Sequence, residues 1–255
     1  MVAKKRVTKQ YILKNVSGAF QPGTITLILG QPSSGKSSLM KILSGRFPME
    51  KNISVEGEIT YNDMSLVGYV TQRDMHYPNL TVQETLMFAR ACCSSGLADQ
   101  LADALNKESS SQASHDVQET MQTVLKHLPE LVLELLGLQN CKDTIVGDAM
   151  LRGISGGEKK RVTTGEMLFG IKLAMLMDDI STGLDSAATF DIIDMMRGIA
   201  KTFGTTIVIS LLQPSPEVFG LFDDVLILNE GEIIYHGPQN AMSPIFYSTS
   251  ARISS

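Results

Sequence analysis

The chain of 255 residues has no tryptophan and only three cysteines, two adjacent at Cys92 and Cys93 and one at Cys141. That is too few for a disulfide framework and matches no zinc-site spacing, so a reducing cytosolic setting is the expectation. An excess of positive charge is also missing. The 22 Lys and Arg against 27 Asp and Glu leave a net charge of −5 and an isoelectric point near 5.4. Such a balance argues against a basic nucleic-acid-binding face, and no nucleic-acid partner is expected. No apolar run approaches the roughly 18 residues that a membrane-spanning helix needs. The longest candidates, Leu173 to Met177 and Thr205 to Leu212, are short. Lys4, Lys5 and Arg6 open the chain without the apolar stretch of a secretory signal. What remains is 43% apolar residues, enough for a full core in one large domain or two small ones, which argues against intrinsic disorder.

From Gly23 the sequence reads GTITLILG, an uncharged β-branched run of the kind found in strands buried on both faces. Gly30 and Pro32 break it, and a helical pattern starts near Lys36. Further strand-like runs are Glu58 to Tyr61, Leu66 to Val70, Leu173 to Met177, Thr205 to Leu211 and Val225 to Leu228. Asn62 and Asp63 supply turn chemistry between the first two. Between about Thr81 and Gly170 helix formers dominate, interrupted by a polar stretch from Ser94 to Ser114 that reads as a surface loop. A helix is expected over Ser186 to Lys201, where Ile192, Ile193, Met195, Met196 and Ile199 recur at helical spacing. Strands alternating with helices imply an α/β fold with a parallel sheet.

The sharpest motif is Gly30-Gln31-Pro32-Ser33-Ser34-Gly35-Lys36-Ser37, a P-loop pattern between a predicted strand and a predicted helix. Its glycines let backbone N–H groups turn towards phosphate oxygens. Lys36 would reach the β and γ phosphates and Ser37 would ligate Mg²⁺, with the helix N-terminus adding its positive end. A second site closes the apolar run Leu173 to Met177 with Asp178 and Asp179. Alone, two acids after a strand are more often a solvated turn or a helix cap. Placed about 140 residues after a P-loop, they fit a Mg²⁺-binding acid followed by one that polarises the attacking water. The third element is Ser155-Gly156-Gly157-Glu158 at a helix start, which suits a second phosphate-binding surface or a plain N-cap with a flexible hinge.

Together these motifs resemble the nucleotide-binding domain of an ATP-binding-cassette (ABC) transporter. Ser155 to Glu158 stand at that family's signature motif, Ser181 to Asp185 at its D-loop, and Gln72 is similar to its Q-loop glutamine. Arg152 to Met167, Ile180 to Thr189 (ISTGLDSAAT) and Ser210 to Pro214 (SLLQP) resemble the first nucleotide-binding domain of G-type pleiotropic-drug-resistance transporters. The resemblance implies a P-loop ABC-ATPase fold: a mainly parallel core sheet, an antiparallel N-terminal β part and a helical insertion. Residues 1–255 would form one nucleotide-binding domain, with a RecA-like core at about 1–80 and 166–240, a helical subdomain at about 81–165 and a poorly defined tail at 241–255. It implies ATP held by Gly30, Gln31, Pro32, Ser33, Ser34, Gly35, Lys36, Ser37 and Ser38. Ser155, Gly156, Gly157 and Glu158 would serve the ATP of a head-to-tail partner domain. Mg²⁺ would be held by Ser37, Gln72 and Asp178, with Asp179 and Gln72 in catalytic roles. A transmembrane domain of the transporter would be the other partner, at the cytoplasmic face of a membrane.

Two positions depart from the family pattern. Asp179 stands where a catalytic glutamate is expected, and its carboxylate is one methylene shorter. Leu212 stands at the switch histidine, and leucine cannot donate a hydrogen bond to a phosphate. Both fall in the site built on this chain's own P-loop, so that site is expected to be slow or degenerate, while Ser155 to Glu158 complete a partner's site. The alternative is a regulatory module that clamps ATP without turnover. Tyr11 reads as a strand-edge tyrosine rather than an adenine-stacking one. Asn240 to Ser255 turns Ser-rich with no membrane domain following, as in an excised domain or a truncated product.

Overall fold

A computed structural model describes residues 10–48, 50–61, 66–93, 127–170 and 172–242. Strand β1 (Ile25–Leu29) is flanked by β4 (Thr206–Ser210) and β5 (Asp224–Asn229) in a six-stranded sheet whose order is β2 (Val67–Val70), β3 (Ala174–Asp178), β4, β1, β5 and β6 (Glu232–Pro238). Strands β2, β3, β4, β1 and β5 pair in parallel, and β6 closes the edge antiparallel to β5. Uncharged β-branched runs form the inner strands because both sheet faces are covered. Helix α1 (Lys36–Leu43) packs Leu39 and Met40 on one side, with Ile28, Tyr69, Leu176 and Val208. Helix α5 (Ser186–Phe203) packs Ile192, Ile193, Met196 and Ala200 on the other, with Leu27, Met177 and Ile209. Asp185 caps α5 by accepting from Ala188 N at 2.7 Å, and Gly204 ends it at φ 67°.

The predicted helices at Lys36 and Ser186 and five of the six strand-like runs appear within a residue or two of their expected ends. Glu58 to Tyr61 does not form a strand. Ile59 is 41% exposed and the run pairs with no described strand; Tyr61 packs against the cluster of Ile28, Leu39 and Met40 and is tied by its hydroxyl to the carbonyl of Leu43. Antiparallel pairing among the described strands therefore lies between β5 and β6, and residues 10–24 hold no strand. Tyr11 is accordingly not at a strand edge. It is 69% exposed in an irregular segment, from which Lys14 N donates to Gly231 O in the β5–β6 turn.

Helical residues 82–93 (α2) and 127–135 (α3) join helix α4 (Gly156–Leu168) around a separate apolar cluster containing Val82, Leu86, Val132, Leu133, Val162 and Phe169. The polar run Ser94–Ser114 and residues 243–255 of the expected tail lie outside the described residues. No helix among the described residues is long and apolar enough to cross a membrane.

Candidate functional site

Strand β1 lies where the sheet's order of connection reverses, between β4 and β5, and the residues that leave β1, β2, β3 and β4 do so at one edge of the sheet. In open α/β sheets this edge is where ligands bind. The P-loop follows β1 directly. A side chain at Gly30 would come within 2.2 Å of the Leu228 carbonyl on β5, so this position admits only glycine. Ser33 (φ 67°) and Gly35 (φ 104°) take the left-handed conformation found in anion-binding nests, and Ser34 N donates to Gln31 O at 3.1 Å to close the turn. The β5–β6 turn supports the loop through Gly231 N donating to Ser34 O at 3.0 Å. Gly35 precedes α1 without a side-chain cap, leaving the helix's first N–H groups facing the nest.

Lys36 is 8% exposed and donates to the carbonyls of Gly30 at 2.6 Å and Gln31 at 2.9 Å. Burial pushes its pKa below the usual lysine value, against the pull of the Asp179 and Asp178 carboxylates. Gln31, Pro32, Ser33 and Ser37 are exposed and Ser38 is half-buried, while Ser34 Oγ is buried with no hydrogen-bond partner.

The two acids end β3 in different settings. Asp178 Oδ1 accepts from Ser210 Oγ at 2.8 Å, and its Oδ2 accepts from Tyr69 hydroxyl at 3.2 Å. Burial and the Asp178 charge raise the Tyr69 pKa well above the ordinary phenol value. Asp179 leaves the strand at φ 47°, its N–H donating to Ser210 Oγ at 2.9 Å and to Ser210 O at 3.1 Å. Its carboxylate accepts from Gln72 Nε2 at 2.9 Å and Thr182 Oγ1 at 2.8 Å, with Ser181 Oγ at 3.4 Å. Folding thus brings Lys36, Gln72, Asp178 and Asp179 together. Sequence reasoning missed Ser210 and Tyr69. Ser210 is fully buried, sits opposite Asp178 in the β3–β4 register, and locks both acids. A hydroxyl residue closing the otherwise apolar run TIVIS was the available signal.

Leu212 is 45% exposed and brings no donor to its position. A cleft of about 310 Å³ opens beside it, lined by Ser181, Leu184, Gln213 and Pro214 among others. Ser155 is the N-cap of α4 in a reciprocal capping box: Ser155 Oγ accepts from Glu158 N at 3.2 Å, and Ser155 N donates to Glu158 Oε2 at 2.7 Å. The bond from Ser155 N holds the Glu158 carboxyl below the usual glutamate pKa. Ser155 and Gly156 are exposed, and open space surrounds the position of a Cβ at Gly156.

A glycine nest, a buried lysine, an orphaned buried hydroxyl and a carboxylate pair at the carboxyl edge of a parallel sheet define a P-loop nucleotide-binding protein. The family model described as "ABC transporter" matches residues 13–182. The chain is 46% identical over 260 residues to "ABC transporter G family member 38" of Arabidopsis thaliana, covering 95% of this chain and 18% of that protein. Against "ABC transporter G family member 40" of Oryza sativa subsp. japonica it is 43% identical, covering 94% and 18%. "ABC transporter G family member 31" of Arabidopsis thaliana matches at 42%, covering 99% and 19%. The chain belongs to the ABC transporter family, on its G branch, and spans less than a fifth of the length of these relatives.

Proposed function

We propose that the chain is the ATP-binding and ATP-hydrolysing domain, the first of two, of a G-type transporter that moves small molecules across a membrane. The observation carrying this reading is the convergence of Lys36, Gln72, Asp178 and Asp179 at the carboxyl edge of the sheet. The residues present fit Mg·ATP. Ser33 and Gly35 take the left-handed conformation of an anion-binding turn, Ser34 Oγ is an unanswered buried hydroxyl, and the Lys36 ammonium, held by the carbonyls of Gly30 and Gln31, feels the charge of the two acids. Ser37, Gln72 and Asp178 supply the hard oxygen ligands that Mg²⁺ prefers. Bound Mg²⁺ would neutralise phosphate charge and polarise the transferred phosphoryl group.

The chain's own residues bind and orient. Residues Gly30 to Ser38 cradle the triphosphate, Ser210 and Tyr69 aim the Asp178 carboxylate through their hydroxyls, and Asp179 orients water with Gln72. Asp179 is the weak element. Its shorter carboxylate is bonded to Gln72 and Thr182, and Leu212 adds no donor, so this site turns over slowly. Misplacement of a reacting group by about 1 Å costs on the order of a hundredfold. Ser155 to Glu158, capped and open to solvent, complete the faster site on a head-to-tail partner domain. The motion of the pair passes to the transmembrane domain from the cytoplasmic face, with α2, α3 and α4 moving as a unit on the core.

Asp179 and Leu212 also favour a second reading, a regulatory module that clamps ATP without turnover. Steady-state hydrolysis by the paired domains tests the asymmetry. Lys36→Ala should leave most turnover in place, whereas the matching lysine change in the partner abolishes it; equal losses overturn the asymmetric reading. Single-turnover chemistry at this chain's own site separates slow hydrolysis from none.

A further inference from the structure

Helix α4 buries a polar face. Lys160 is 1% exposed, Thr163 7% and Thr164 0%, although burying an isolated charge is strongly unfavourable. Thr164 Oγ1 donates to Lys160 O within the helix at 2.9 Å. What answers Lys160 and Thr163 is the segment after β2, where every second residue meets a successive turn of the helix. Lys160 Nζ donates to Gln72 O at 2.9 Å and pairs with Asp74 Oδ1 at 3.0 Å. Thr163 Oγ1 donates to Asp74 Oδ1 at 2.6 Å and lies 2.9 Å from His76 Nε2, while His76 Nδ1 faces Glu166 Oε2 at 3.4 Å. Gln72, Asp74 and His76 thus match Lys160, Thr163 and Glu166 in order. A period-two segment and one helix face are locked in a single register.

Such a buried pair adds little net stability compared with apolar residues of the same volume, so its effect is to select one arrangement. That arrangement has a chemical consequence. Lys160 fixes the main chain of Gln72, and the Gln72 amide bonds Asp179 Oδ2 at 2.9 Å. We propose that Lys160 is a positioning residue for Asp179, acting through Gln72, and that it ties the helix headed by Ser155 to Glu158 to the carboxylate pair of the chain's own site. The role rests on the nucleotide-site reading above for its functional meaning, but the contact chain itself does not depend on a bound nucleotide.

The test uses two variants and two readouts. Lys160→Met with Asp74→Leu replaces the ion pair by apolar side chains and leaves no unpaired charge, so folding is retained. Nuclear magnetic resonance of the Gln72 side-chain amide, assigned with Gln72→Glu, is read without nucleotide. Its hydrogen exchange should speed up on the order of tenfold in the double variant, and Mg·ATP affinity should fall roughly three- to tenfold, the loss of one ordinary hydrogen bond. Lys160→Arg, which keeps the charge, should recover part of both. An unchanged Gln72 amide in a folded double variant overturns the proposal. The unmodified protein gives an independent check: the Lys160 ammonium should be slow-exchanging, with through-space contacts to Gln72 and Asp74, and their absence is equally fatal. If the amide responds as expected while the unmodified chain binds no Mg·ATP, the positioning role stands and the nucleotide reading fails.

Discussion

The P-loop and the helix start at Ser155 to Glu158 are built in opposite ways. The P-loop site is assembled from within: three strands deliver Lys36, Gln72, Asp178 and Asp179 to one edge, and Ser210, ending a fourth, bonds both acids from a fully buried position. The motif at Ser155 to Glu158 is local and open. Ser155 and Glu158 bond each other, and nothing crowds Gly156. A site closed by its own fold can grip a ligand alone, whereas an exposed helix start offers half a site. The contrast supports the proposal that the chain binds nucleotide through the first motif and presents the second to another domain.

The largest effect should come from lengthening the weak element. Asp179→Glu is expected to raise single-turnover hydrolysis at the chain's own site by up to about a hundredfold, the cost of the misplacement it corrects. No gain would mean that Leu212, or the bonds from Gln72 and Thr182, sets the rate. Next comes Ser210→Ala, which strips a donor from Asp178 and an acceptor from Asp179 N–H in a fully buried position. Denaturation should show a loss of roughly 1–3 kcal/mol, with weakened Mg²⁺ dependence of nucleotide binding. A neutral result would deny Ser210 its place in the assembled site.

The same contrast decides what could be read from the sequence. Contiguous motifs were legible because their chemistry is local: Gly30 to Ser37 and Ser155 to Glu158 carry their geometry in neighbouring residues. The parallel sheet followed from uncharged β-branched runs between helical ones. Ser210 and Tyr69 were not legible, since their partner Asp178 lies 32 and 109 residues away and only strand register brings them together. The burial of Lys160 was not legible either, because nothing local reveals that Asp74 and Gln72, the latter 88 residues away, fold over it. Glu58 to Tyr61 had strand composition without a partner strand, and pairing, not composition, makes a strand.

Smaller effects sharpen the other half of the contrast. Ser155→Ala removes the cap of α4 and should cost about 1 kcal/mol of stability, while leaving the chain's own affinity for Mg·ATP within about twofold. A large loss of that affinity would mean that the two motifs are not separate. The smallest effect is on pH. The Glu158 carboxyl is held below its ordinary pKa by the bond from Ser155 N. Its contribution to stability is therefore complete above the unfolded-state glutamate value and disappears as pH falls through the lowered folded-state value. Acid melting curves of the unmodified protein and Glu158→Gln should converge below that range; a gap that persists there removes the capping charge from the account.

The most direct measurement is a calorimetric titration of the folded chain with ATP, with and without Mg²⁺, beside Lys36→Ala. Charge-assisted bonds from a buried lysine to phosphate are worth about 1.5–3 kcal/mol, so the variant should bind on the order of ten- to a hundredfold more weakly, with the unmodified chain depending on Mg²⁺. Binding that ignores both the lysine and the metal, or no binding at all by the well-folded protein, contradicts the claim that its own P-loop site holds a nucleotide.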